Sequence, residues 1–396
     1  MKKLGFIIPW FSDDITGGAE LALKELVHHL QKEGVELEIL TTCVKNFSSD
    51  WNKNYYSEGM TTENGIVTRR FIAGKRDARR FDVINAKLMN KEYITELDED
   101  DFMRNMVHSS KLYDYIKQRK DEYSLFVFTP YMFGTTYEGV KAVSEKSVLI
   151  PCFHDESYAY MQKYIDCYKN VGGMIFLAKP EAKIANRIYD LSKVKQAVLG
   201  TGVDIDLKYD AKRFREKFKL RAPFILYTGR KDTTKNVGTL IYYFTEYKKY
   251  NHNECKLIMM GPASLPIPKE MKKDIIDLGF VDLQDKYDAM AAATVLCQPS
   301  VNESFSLVIM ESWLCGRPVM VHEKCAVTKN FVIESNGGFY FSDYYEFEKE
   351  LNYLLHNTGN AEIMGRQGGE YVRSNFAWDV IVERYMKFFE GCSKNV

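Results

Sequence analysis

The chain alternates short apolar runs with longer stretches whose apolar positions recur at helical spacing, and it does so in two successive series. The first series opens with KLGFIIP (3–9), the turn-rich loop FSDDITGGAE (11–20), LALKELVHHLQKEG (21–34) and VELEILTT (35–42). Short apolar runs bounded by turn residues are the pattern of strands covered on both faces, as in a parallel sheet. The helical stretch closes at Gly34, a residue suited to the left-handed step after a helix. Residues 45–120 are less regular. A helix is expected from about 98 to 119, with Asp98, Glu99, Asp100 and Asp101 in its first turn, where acids suit the dipole. SLFVF (124–128), KSVLIPCF (146–153) and GGMIFL (172–177) predict three more buried strands.

The second series has strands at PFILYTG (223–229), CKLIMMG (255–261), TVLCQPS (294–300), RPVMVHE (317–323) and GGFYF (337–341), with a helix at GTLIYYFTEYKKY (238–250). Strands and helices alternating twice over imply two doubly wound α/β domains. The linker is expected near 195–220. The expected division is 1–200, 201–376 and a last amphipathic helix in 377–396 that packs back toward the first domain.

Composition narrows the classes. The 396 residues are 45% apolar, enough for two cores, and 54 Lys plus Arg balance 54 Asp plus Glu. That balance argues against a general nucleic-acid binder. The eight cysteines (43, 152, 167, 255, 297, 315, 325, 392) form no C-x-x-C, and several lie inside apolar runs, so reduced thiols in a cytoplasmic protein are expected. The start, MKKLGFIIPW, lacks the pattern of a signal peptide, and no apolar run approaches about 18 residues, so no membrane span is expected. Peripheral contact with the inner face of a membrane stays open.

The densest chemistry lies in NESFSLVIMESWLCGRPVMV (302–321), where Glu303 and Glu311 flank the first half of an apolar run. On one continuous helix they would stand roughly 12 Å apart along the axis and about 80° around it. A glycosidase carboxylate pair needs about 5 to 9.5 Å. The pattern fits better with Glu303 in a loop at the carboxyl end of the preceding strand and Glu311 in the following helix. Strand ends of that kind bind ligands in doubly wound sheets. The N–H groups near Ser304, Phe305 and Ser306 would then be open to an anion or a hydroxyl. The competing reading is a solvated loop acid and an incidental helix acid. In LYTGRKDTTKNV (226–237), Arg230 and Lys235 follow a strand, and two such cations neutralise a diphosphate, although R-x4-K also describes a surface pair. Gly17 and Gly18 precede a helix and permit close backbone approach to phosphate or sugar, or form a flexible turn. His154 ends a strand and is followed by Asp155 and Glu156; a lone histidine is otherwise a structural residue. No G-x-G-x-x-G, phosphate-loop or H-E-x-x-H motif is present, and the D-x-D at 204–206 falls in the linker.

PSVNESFSLVIMESWLCGRPVMV resembles the E-x7-E region of retaining glycosyltransferases of family 4 (group 1), which have the GT-B fold. Glu303, Ser304, Phe305, Ser306, Glu311, Gly316 and Pro318 match in order, with serine at two positions where glycine is commoner. GRKDTTKNV resembles the family's basic segment, with Asn236 in place of the usual glycine, and TGGAE resembles its N-terminal glycine loop. The resemblance implies an α/β GT-B enzyme, two Rossmann-like domains facing a central cleft. It would move a hexose from a nucleotide-diphosphate sugar, UDP- or GDP-linked, to a glycan or lipid-linked saccharide in surface polysaccharide or glycoconjugate synthesis. It implies no cofactor and no metal. Glu311 is expected on the ribose, Arg230 and Lys235 on the diphosphate, Glu303 and the N–H groups of Ser304 to Ser306 on the donor sugar. His154 is expected near the reacting carbon, with Gly17 and Gly18 at the donor. Asp155 or Glu156 would orient that histidine or bind the acceptor. The alternatives are a nucleotide-sugar epimerase or hydrolase of the same fold, or a non-catalytic sugar-nucleotide-binding protein. The basic run Lys75, Arg76, Arg79 and Arg80, beside Phe71 and Phe81, offers either an anionic membrane contact or a solvated loop.

Overall fold

The computed structural model describes residues 2–12 and 17–394, so Asp13–Thr16 of the first loop, including Thr16 of TGGAE, lie outside the described residues. The chain divides into two compact units, residues 1–202 with 381–396, and residues 203–380.

Among the described residues the first unit holds eight strands: β1 (Lys3–Ile7), β2 (Leu37–Thr42), β3 (Gly59–Glu63), β4 (Ile66–Phe71), β5 (Tyr123–Phe128), β6 (Ser147–Leu149), β7 (Gly173–Phe176) and β8 (Lys195–Val198). Their order is β3-β4-β2-β1-β5-β6-β7-β8, and only β3 runs antiparallel. Leu4, Phe6, Leu125, Val127, Val148 and Ile175 are fully buried, as strands sandwiched between helices must be. The hairpin β3–β4 and the edge strand β8 are absent from the hydrophobic pattern. Gly59–Glu63 is exposed throughout, and β8 is mostly exposed, so neither carries an apolar run.

The helix expected over 98–119 is two helices, Glu96–Arg104 and Ser110–Arg119. The break is made by side chains. Asn105 Oδ1 accepts from the Asp77 N–H at 2.8 Å, and the Ser109 hydroxyl donates to the Ile72 carbonyl at 2.7 Å while capping the second helix. The first helix begins with a capping box between Thr95 and Asp98.

The second unit has six parallel strands: β9 (Phe224–Thr228), β10 (Lys256–Met260), β11 (Ile275–Asp277), β12 (Val295–Gln298), β13 (Val319–His322) and β14 (Gly338–Phe341). Their order, β11-β10-β9-β12-β13-β14, is the 3-2-1-4-5-6 winding of a dinucleotide-binding sheet. The winding reverses between β9 and β12, which pair directly. Both units are therefore Rossmann-like domains.

The helix Trp378–Ser393 carries the chain back into the first unit. There Phe389 meets Phe6 edge-on, the Tyr385 hydroxyl donates to the Gly200 carbonyl at 2.8 Å, and Phe388 and Cys392 lie over Gly173, where a Cβ would come within 2.9 Å of the Cys392 sulfur. Among the described residues, no helix is long and apolar enough to cross a membrane.

Candidate functional site

In the second unit the candidate residues gather at the carboxyl ends of the two strands where the winding reverses. The loop after β9 carries Arg230 and Lys235. The loop after β12 carries Glu303. Lys235 Nζ donates to Glu303 Oε1 at 2.7 Å, with the carboxylate 10% and the lysine 24% exposed. Arg230 is 60% exposed, 3.5 Å from Asp232, so its guanidinium stands in solvent reach. Asp232 caps the turn Thr233–Lys235 by accepting from the Lys235 N–H at 3.1 Å. Burial resists its ionisation, but the Thr234 hydroxyl and the Lys235 N–H hold it below the usual carboxylate range.

Asn236, which stands where the family pattern has glycine, adopts the left-handed conformation (φ 56°, ψ 26°) that position requires. Asparagine tolerates it because its short amide bonds locally. Here Nδ2 donates to the Pro299 carbonyl at 3.0 Å and Oδ1 accepts from the Thr239 hydroxyl at 2.6 Å, tying the two strand-end loops together. Behind them Lys231, fully buried, donates to Asp277 at 2.7 Å and to the Gly261 carbonyl. Gly261 (φ 120°) packs so tightly on Gly229 that a Cβ would lie 2.1 Å from the Gly229 carbonyl oxygen.

The helix after the second loop runs Leu307–Leu314, so Ser304, Phe305 and Ser306 precede it. Ser306 is its N-cap in a positive-φ conformation (φ 78°), while Phe305 is buried edge-on to Phe331 and Phe376. Glu303 thus belongs to the loop and Glu311 to the helix. Glu311 Oε1 accepts from Lys286 Nζ at 2.6 Å and from the Tyr287 hydroxyl at 3.4 Å. Burial first, then Glu311, pushes the Tyr287 hydroxyl well above its ordinary value, so it stays a donor. Glu311 Oε2 is buried with no partner, as are Ser306 Oγ and Gln298 Oε1 on the same strand–loop–helix segment. Buried polar atoms of folded proteins are normally paired, so three unpaired ones on one segment make it a candidate site for a polar ligand. Lys286 and Tyr287 escape the sequence reading. They lie on the helix Leu283–Ala292, where a lysine beside a tyrosine looks like a solvated face.

In the first unit His154 follows β6. Its Nδ1 lies 3.7 Å from Glu156 Oε1, which accepts from the buried Tyr131 hydroxyl at 2.9 Å. Asp155 turns the other way, bonding Arg187 at 2.8 Å and the Tyr160 hydroxyl at 2.7 Å; those bonds hold its carboxyl below the usual range. Glu156, not Asp155, is thus the acid beside the histidine. Glu181, fully buried, accepts from the Phe153 N–H at 2.8 Å and the Leu177 N–H at 2.6 Å. Burial pushes it up to about 7 against the pull of those two N–H groups. Gly17 caps the helix Gly18–Lys32, and Glu20 in its first turn accepts from Trp10 Nε1 at 2.5 Å.

Of the basic run only Arg76 is half-buried, while Lys75, Arg79 and Arg80 are exposed. Arg76 lies over the rings of Trp51 and Phe81 and donates to the Asn105 carbonyl at 3.0 Å, Lys75 donates to the Asn52 carbonyl at 2.9 Å, and Arg80 pairs with Asp101. Phe71 and Phe81 are each 7% exposed.

Residues 208–371 match the family model for glycosyl transferases group 1. That span lies within the second unit and includes Arg230, Lys235, Lys286, Glu303 and Glu311. An uncharacterised glycosyltransferase of Methanocaldococcus jannaschii is 23% identical over 255 residues, 60% of this chain and 65% of that one. The chain spans less than two thirds of the length of the curated relatives it matches. Among solved structures, sucrose-phosphate synthase from Thermosynechococcus elongatus superposes with a TM-score of 0.75 at 16% identity, covering 100% of both chains. Anabaena HepE in complex with UDP-glucose superposes with a TM-score of 0.69 at 15% identity, covering 99% of this chain and 100% of that one. These likenesses show the fold, the GT-B class with its two Rossmann-like domains.

Proposed function

We propose that the protein is a retaining glycosyltransferase of family 4 that moves a hexose from a UDP- or GDP-linked donor to a glycan or lipid-linked saccharide. The observation that carries this reading is the group at the β9/β12 reversal: two cations, two carboxylates and buried acceptors that await donors, inside the span that matches the group 1 family. The HepE structure, which holds UDP-glucose, supports a nucleotide sugar as the ligand class.

In this reading Arg230 and Lys235 take the diphosphate. As the bond from the anomeric carbon to the phosphate oxygen breaks, they stabilise the charge that develops there. Glu311 Oε2 accepts a ribose hydroxyl. Glu303, steadied by Lys235, and the N–H groups of Ser304 to Ser306 grip the transferred sugar. The acceptor oxygen bonds to the anomeric carbon on the face the phosphate leaves, and its proton passes to the departing phosphate oxygen. Because the chain's own cations carry the diphosphate charge, the reading calls for no metal and no cofactor. For His154 it assigns contact with the transferred sugar, and for Gly17 and Gly18 a backbone contact with the donor; these roles come from the family resemblance.

The test begins with thermal shifts in millimolar UDP, GDP, dTDP, ADP and CDP, where a ligand at a hundred times its dissociation constant adds roughly 2.7 kcal/mol. One nucleotide should stand out. Glu303→Gln and Arg230→Ala should each slow transfer by about a hundredfold, a transition-state loss on the order of 2 to 4 kcal/mol. Wild-type turnover in either purified variant would sink its assignment, and donor consumption without any acceptor would move the protein to the hydrolases or epimerases.

A further inference from the structure

We propose that Glu181 is a positioning residue for His154, a buried carboxylate that fixes the loop on which the histidine stands. The residues on both sides of His154 are pinned to one helix, Lys179–Ile188. Phe153 is held through its N–H by Glu181 Oε1 at 2.8 Å, and Asp155 through its carboxylate by Arg187 at 2.8 Å. The second oxygen of Glu181 takes the Leu177 N–H at 2.6 Å, just beyond the end of β7. One side chain therefore joins the loop after β6 to the end of β7 through its two oxygens. The Phe153 ring locks the same point from the other side, lying 4.5 Å from Tyr131 and stacked 5.1 Å from Tyr189. Tyr131 in turn donates to Glu156, the acid beside His154.

Two features show that the loop is held rather than resting. Cys152, the residue before Phe153, has φ +58°, a conformation that a non-glycine residue keeps only where its surroundings impose it. And Glu181 is fully buried, where a carboxyl group is tolerated only when hydrogen-bonded, so its two bonds to the Phe153 and Leu177 N–H groups are costly to break. A glutamine there accepts through one oxygen only and turns an N–H₂ toward a backbone N–H. An aspartate is one methylene shorter and reaches one of the two N–H groups.

The catalytic consequence rests on the transfer reading above; the mechanical link between Glu181 and His154 does not. The experiment uses the full chain with Glu181→Gln. It follows the His154 ring by NMR titration, its signal assigned with His154→Gln, together with kcat and KM for the nucleotide sugar and the affinity for free nucleoside diphosphate. The expected result is a displaced His154 titration, a kcat lower by about tenfold or more, and unchanged nucleotide affinity. The double variant His154→Ala/Glu181→Gln should be no slower than His154→Ala alone, since both changes act through one residue. A folded Glu181→Gln protein with wild-type His154 titration, with wild-type kcat, or with a loss that adds to that of His154→Ala would overturn the proposal. If Glu181→Gln fails to fold, Glu181→Asp takes its place under the same criteria. If the wild type turns over no nucleotide sugar, the transfer reading fails, while the titration still decides whether Glu181 sets the state of His154.

Discussion

Lys286 shows how one side chain changes the meaning of a motif. Glu311 is only 12% exposed, and an ionised carboxylate at that depth needs a partner. Lys286 supplies it through one oxygen and leaves the other without a partner, the oxygen that the proposed function gives to the ribose. Lys286→Met keeps the aliphatic stem but strands the carboxylate. Urea unfolding should then show a loss of about 2 kcal/mol, and calorimetry a weaker grip on the nucleotide. Lys286→Met/Glu311→Gln removes both members of the pair and should regain most of the stability without regaining the affinity. A double variant as unstable as the single one would mean that the lysine acts by packing and not by its charge. Arg76 makes the opposite point. Its charge looks available in the sequence, yet the guanidinium lies against the rings of Trp51 and Phe81 and is lowered in basicity by burial.

Among elements, the turn before the helix Val237–Tyr250 carries the most consequence, since it joins the two loops that hold the proposed diphosphate and sugar grips. Asn236→Ala should cost about 1 to 2 kcal/mol by thermal or urea unfolding, because alanine resists φ near +56°. Asn236→Gly keeps the conformation and should cost less, since it loses the side-chain bonds to Pro299 and Thr239, as alanine does, but not the backbone angle; a loss as large as alanine's would mean that the bonds and not the angle carry the cost. This turn also marks how far the sequence could be read. The strand–loop–helix around Glu303 and Glu311 was legible because residue type, spacing and the apolar run all point one way. The hairpin 59–71 was not, since its outer strand GMTTE has no buried face to leave a pattern. The helix break at 105–109 was not, since Asn105 and Ser109 cap against Asp77 and Ile72, some 30 residues away in the chain. Lys286 left no trace at all, because its partner is named only once the two helices pack.

At the scale of the whole molecule, balanced charge makes the response to pH depend on a few buried acids. Glu350 is one: burial pushes it up to about 8, and its Oε2 has no partner. The folded state therefore binds a proton that the unfolded chain releases near pH 4 to 5. The stability that Glu350 contributes should be fully present below that range, decline as pH rises through the interval and level off above about 8, opposite in sign to the acids held below their usual range. Glu350→Gln should remove the decline, unfolding at about 2 kcal/mol higher stability than wild type at pH 9 and nearly equal to it at pH 4, as read from urea midpoints. Parallel curves for the two proteins would place the acid in water.

The first unit is made from two separated stretches of chain, residues 1–202 and 381–396. On the ribosome, synthesis is vectorial. The strands of the first sheet emerge early, but the helix that brings Tyr385, Phe388, Phe389 and Cys392 to them is translated only after the whole second unit. Throughout the making of the second unit, the first must wait with Phe6 and Gly173 uncovered. The nascent first unit is thus open to chaperones and proteases for that interval, and a premature stop after the second unit, before residue 381, would damage the half of the protein made first.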